Sequence, residues 1–195
     1  MKKRKILSIM LVFLMMISFL PTNIYANDET KNIGQLSVTN YEQLKNGLGD
    51  AADVSLDADG HINIKLNKNL KGQLKLAIRG AYYVFDANGK TLDGDCETST
   101  LGYVPESLCL EHGSNSTMVL KGNGIYKRGT YYAIFCGSGC KYIILSARLE
   151  GSIGSNGGED VRTQLQDGYE CYLATKNGKN LFDAENTKEN KIFTS

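Results

Sequence analysis

The chain has no tryptophan, two prolines and two histidines, His61 and His112. Few histidines leave little room for imidazole chemistry. His61 opens a strand-like run and reads as a solvated residue. His112 stands near Cys109, but no third group is visible to orient a Cys–His nucleophilic pair. No Asp-Asp pair occurs anywhere in the sequence. An excess of charge of one sign is also missing: 22 basic residues stand against 21 acidic ones. That balance gives no electrostatic footprint for nucleic acid, so no nucleic-acid partner is expected. Beyond the first twenty residues there is no second long apolar run, and nothing further is expected to cross a membrane.

The single long apolar run is informative. Lys2, Lys3, Arg4 and Lys5 precede Ile6 to Leu20, which carry no charge. Pro21, Thr22 and Asn23 break the run, and Ala26 supplies a small residue for cleavage. This is the pattern of a secretory signal peptide over residues 1–26. The run is about fifteen residues, short of the roughly twenty that cross a bilayer comfortably. Removing the leader takes four basic residues and leaves 18 against 21 acidic, a formal charge of −3. No cysteine lies at the cleavage site, and Lys191 to Ser195 do not resemble a cell-wall sorting signal. The expected location is outside the cell, secreted or loosely surface-associated, in a bacterial style. Asn115-Ser116-Thr117 fits a glycosylation sequon but is read as an ordinary turn.

With 21 Gly and 11 Tyr, and short apolar runs punctuated by Gly, Asn and Asp, the remainder reads as β structure. Residues 27–39 are polar and expected to be flexible. The spacing predicts one helix over 40–52, capped by Asn40 with Gln43 at the capping-box position and with Tyr41, Leu44 and Leu48 on one face. Alternating runs follow at His61 to Leu66, Gln73 to Ile78, Tyr83 to Ala87, Leu108 to Leu110, Thr117 to Leu120, Tyr132 to Cys136 and Tyr142 to Leu145. A polar excursion from Asp93 to about Glu106 interrupts them.

These runs look like repeats. Leu66, Ala87, Leu120 and Leu145 close four similar strands. Ile64, Phe85, Met118 and Ile143 form a second set, and Leu70, Leu92, Ile125 and Leu149 a third. Asn67 and Asn88 could stack at a corner, with Lys121 and Ser146 breaking that ladder further on. A step of this size suits stacked units that bury their inward side chains only against one another. The reading is all-β: a short parallel β-helix of about four coils over 40–154, with the helix as N-terminal cap. Residues 155–195 are then a loop and a C-terminal β-hairpin cap, the hairpin turning at Asn177-Gly178.

Phe85-Asp86-Ala87-Asn88-Gly89-Lys90-Thr91-Leu92-Asp93-Gly94 resembles a coil of the right-handed parallel β-helix proteins, the pectin-lyase-like superfamily. The likeness covers roughly residues 40–154. It implies a right-handed coil. It also implies one of several roles, since that superfamily includes polysaccharide lyases, glycoside hydrolases and non-catalytic surface modules. The hydrolases' paired aspartates are missing, and Glu111-His112-Gly113 departs from their Gly-His-Gly at the first position. The lyases' calcium-binding acids cannot be matched to Asp86, Asp93, Asp95 and Glu150.

No catalytic residue is therefore assigned, and no cofactor is expected. The expected function is a non-catalytic module binding a polysaccharide or another cell-surface glycan. A polysaccharide-active enzyme, or an end domain of a larger surface protein, is the alternative. Tyr82, Tyr126, Tyr131, Tyr132 and Tyr142 lie on or beside the expected strands and are the candidate ligand-binding residues. Cys96 with Cys109, and Cys136 with Cys140, are candidate disulfides in an exported chain, leaving Cys171 over, and buried free thiols are the alternative. A zinc site with His112 fits no spacing pattern. Asp57-Ala58-Asp59-Gly60 matches the opening of a calcium loop, but Lys68 stands where the twelfth-position glutamate belongs. The segment is read as an acidic hairpin turn, and no metal is expected.

Overall fold

A computed structural model describes the backbone of residues 29–94, 106–155, 160–163, 171–175 and 178–181. Side chains are described through residue 154, except those of Thr130, Tyr131 and Ser152. The expected leader, Cys96 and most of the polar excursion lie outside these residues.

The described chain is mostly β, in two largely parallel sheets. One sheet contains β1 (Thr30–Val38), β4 (Asn69–Leu76), β6 (Thr91–Asp93), β7 (Leu108–Leu110), β9 (Gly124–Cys136), β11 (Ala147–Ser155), β13 (Cys171–Thr175) and β14 (Gly178–Leu181). The other contains β2 (Ala52–Leu56), β3 (Ile62–Leu66), β5 (Tyr82–Asp86), β8 (Thr117–Lys121), β10 (Lys141–Ile144) and β12 (Asp160–Thr163). From β3 onward the described strands alternate between the sheets, except that β6 with β7 and β13 with β14 stay in the first. Both sheets feed one apolar core.

Alternation places every second side chain inward, and parallel pairing stacks these into columns. Ile62, Tyr83, Met118 and Tyr142 form one column, and Ile64, Phe85, Leu120 and Ile144 the next. In the opposite sheet Leu70, Leu92, Tyr126 and Leu149 stack, as do Leu74, Leu108, Ile134 and Ile153. All sixteen are buried.

The columns differ in register from the sequence reading. Leu120 lies opposite Phe85, not Ala87. That slip of two residues keeps Met118 and Leu120 facing inward. Ile144, not Leu145, lies opposite Leu120. A slip of one reverses the face, so Tyr142 and Ile144 are buried while Ile143 and Leu145 are only half-buried. Tyr126 likewise takes the place expected for Ile125. The turn before it sets this: Asn123 adopts φ 53°, and a Cβ on Gly124 would collide with that of Ala87.

Corners are tied by hydrogen bonds between neighbouring strands. Asn88 Nδ2 donates to Leu66 O (3.0 Å), the Thr91 N–H to Asn69 Oδ1 (2.9 Å) and the Asn123 N–H to Ser146 Oγ (2.7 Å). The expected Asn67–Asn88 side-chain ladder is replaced by these contacts, because Asn67 Nδ2 turns to Asp53 Oδ1 (3.1 Å). Ser146 supplies a link where an interruption was expected.

The helix, α1, runs Tyr41–Leu48 and is shorter than expected. Asn40 Oδ1 accepts from the Gln43 N–H (2.9 Å), and Gln43 Oε1 accepts from the Thr39 N–H (2.8 Å). Leu44 and Leu48 are buried, and the helix packs on β1 and β2. A short 3-10 turn follows, then β2, which the sequence reading had placed partly in the helix. Residues 30–38, expected to be flexible, form β1 along β4. A bulge at Ile33 realigns the strand so that Leu36 and Val38 face the core. The far end carries the expected hairpin: β13 and β14 pair antiparallel, Thr175 opposite Gly178.

Candidate ligand-binding face

On the outer side of β2, β3 and β5, five polar or aromatic side chains converge. Ile62 and Ile64 point inward, so His61 and Asn63 point outward. Asp57 and Asp59 stand in the β2–β3 turn, and Tyr82 opens β5 on the adjacent strand. Asp57 organises the turn. Its Oδ1 accepts from the backbone N–H groups of Asp59 (3.0 Å) and His61 (2.8 Å). Its Oδ2 lies 3.1 Å from His61 Nδ1 and 3.4 Å from Asn63 Nδ2. The His61 N–H bond, above all, holds the Asp57 carboxyl below its ordinary value. It is a charged acceptor at neutral pH. The His61 and Tyr82 rings pack 4.4 Å apart at 38°. His61 and Asp57 side chains retain 35% and 38% exposure, enough to meet a ligand from solvent. A half-open ring face, bordered by carboxylates, an amide and an imidazole, can cover one face of a flat solute and hydrogen-bond its edge.

The five candidate tyrosines divide. Tyr82 belongs to this face. Tyr132 is half-buried on β9, with its ring 5.9 Å from Phe135 and lying against Gly154. Tyr126 and Tyr142 are fully buried, which corrects their assignment as ligand-binding residues. The Tyr142 hydroxyl donates to Phe135 O (3.2 Å) within the fold. Tyr126 packs its ring 6.3 Å from Phe85. The Tyr131 side chain lies outside the described residues.

The cysteines need a second correction. Cys109, Cys136 and Cys140 are buried and not disulfide-bonded, so Cys136 and Cys140 do not bridge each other. Cys140 Sγ instead lies 3.1 Å from Ser114 Oγ and 3.2 Å from Glu111 O. Cys109 is not held in the expected bridge to Cys96. Its thiol hydrogen-bonds Glu106, and burial pushes it far above the ordinary thiol value. His112 is exposed.

Three titratable residues of the face stand outside the sequence-based site: His61, Asp57 and Asp59. His61 was read as solvated, and Asp57 with Asp59 as a turn. The turn reading holds, since the segment joins the antiparallel strands β2 and β3. The sequence signal for more was the Asp-x-Asp-x-His spacing, which places three ligating side chains on one tight turn. Tyr82 joins them only through the β3–β5 register.

Among the described residues no helix is long and apolar enough to cross a membrane. No protein-family model, curated protein or solved structure matches this chain.

Proposed function

We propose that this chain is an exported, non-catalytic module that binds a polysaccharide or cell-surface glycan through the face around Tyr82. The observation that carries the reading is the half-buried His61–Tyr82 ring pair, bordered by Asp57, Asp59 and Asn63. Sugars present an apolar ring face and a rim of hydroxyls. An aromatic ring matches the first, while carboxylate and amide groups match the second. The leader pattern of residues 1–26 supports an extracellular location. Alternating parallel strands with stacked core columns support a short right-handed parallel β-helix of about four coils, of the pectin-lyase-like kind. In that reading α1 is its first cap and the β13–β14 hairpin its last.

Native affinity electrophoresis through gels containing soluble polysaccharides tests the reading. At least one gel should retard the protein. Tyr82→Ala should weaken that retention by about tenfold, equivalent to about 1.4 kcal/mol. Unchanged mobility in pectin, xylan, glucan and peptidoglycan-derived glycans alike, or retention indifferent to Tyr82→Ala, contradicts it.

A further inference from the structure

The β2–β3 turn carries a donor set whose chemistry reaches beyond hydrogen bonding to hydroxyls. One ligating atom each from Asp57, Asp59 and His61 lies within 4.8 Å of the other two. The set mixes two carboxylates with an imidazole, the donor types that bind zinc and its neighbours in the transition series. We propose that Asp57, Asp59 and His61 form a binding site for a zinc-class divalent cation.

The Asp57–His61 pair carries the argument furthest. With metal–ligand bonds of about 2.0–2.2 Å, two adjacent vertices of a tetrahedron stand about 3.4 Å apart. Asp57 Oδ2 and His61 Nδ1 are 3.1 Å apart, close to that edge before any ion enters. Asp57 also need not give up its place in the turn. Its Oδ1 keeps the two backbone N–H groups, while Oδ2 faces the site. The Tyr82 ring packs against the imidazole and limits its rotation. Asp59 is exposed in the same turn, with a carboxylate oxygen within 4.8 Å of the other two ligand atoms. Three protein ligands leave a zinc-class ion at least one open position. Water or a ligand hydroxyl can take it. The site stands without the glycan reading, and the test uses no glycan.

The experiment titrates metal-free, thiol-reduced protein with zinc by calorimetry and with cobalt(II) by absorption spectroscopy. One equivalent should bind. Its cobalt spectrum should lack the intense thiolate charge-transfer absorption that any of the five cysteines would give. His61→Ala and Asp59→Ala should each weaken binding at least tenfold while leaving the circular dichroism spectrum unchanged. Asp57 is left intact because it holds the turn. Three results overturn the proposal: no saturable binding, a thiolate spectrum, or binding that survives both substitutions. Failure here with Tyr82-dependent polysaccharide retention intact removes the metal and leaves the glycan reading. The reverse outcome does the opposite.

Discussion

At the scale of single residues, Glu106 is the most unusual group in the described chain. It is buried, with Gln73 Nε2 donating to its Oε1 at 2.8 Å and the Cys109 thiol beside it. Burial, the largest influence, raises its carboxyl above the ordinary value of 4.5, although its hydrogen bonds and the Lys75 ammonium act the other way. The folded state therefore holds a proton that the unfolded chain gives up. The resulting stabilisation is complete below pH 4.5 and is lost as pH rises through the raised value. Asp57 acts oppositely. Its carboxyl is lowered, so its contribution is present above 3.8 and lost as pH falls through the lowered value. Urea midpoints measured from pH 4 to 8 should decline on the neutral side, and Glu106→Gln should flatten that decline. The amide keeps an acceptor for Gln73 and carries no charge to bury. An equally steep decline in the variant would remove Glu106 as its source.

At the scale of strands, register is fixed by the core and by the charges outside it. Lys71, Asp93, Lys127 and Glu150 fall opposite one another on successive strands, with Lys127 Nζ 3.7 Å from Asp93 Oδ2. Lys65, Asp86 and Lys121 repeat the alternation in the other sheet. Each such pair contributes only about 0.2–1 kcal/mol. Because neighbours alternate in sign, however, they oppose pairings that bring like charges together. The inward positions carry the larger energies. Ile144→Ala should lower stability by about 2–5 kcal/mol, and Leu145→Ala, on a half-buried outward side chain, by about 1 kcal/mol. Denaturant unfolding separates the two. Equal losses would contradict the register. The same comparison shows what the sequence could and could not disclose. Period-two alternation located β3, β5, β8 and β10, and the cap at Asn40 located α1. Single-residue slips at Tyr126 and Ile144 were hidden, because Ile125 and Leu145 are at least as apolar as the residues that replace them inward. β1 was hidden for another reason: its bulge at Ile33 breaks the alternation on which recognition depends.

At the scale of the whole molecule, successive parallel strands cover one another's apolar faces. An antiparallel strand closes one edge of each sheet, β2 on β3 and β14 on β13. α1 adds a lid where β1 and β2 meet the core, burying Leu44 and Leu48. The candidate face follows from this stacking. Tyr82 reaches His61 only because β5 lies beside β3, so the site was legible as separate residues and not as a group. Of the five tyrosines, stacking turned Tyr126 and Tyr142 inward to fill the core. Tyrosine suits a half-buried strand position whichever way it points, and composition alone could not separate core rings from surface ones. Of the two readings open for the cysteines, bridge or buried thiol, Cys109, Cys136 and Cys140 take the second. They are small apolar groups packed inside the sheets, where export had suggested bridges.

The stacked columns underlie every placement above, and nuclear Overhauser contacts in isotopically labelled protein test them most directly. Phe85 ring protons should contact the side chains of both Ile64 and Leu120, and Leu120 methyls should contact Ile144. Contacts linking Leu120 to Ala87 and Leu145, with none to Phe85 and Ile144, would contradict the register and the site built on it.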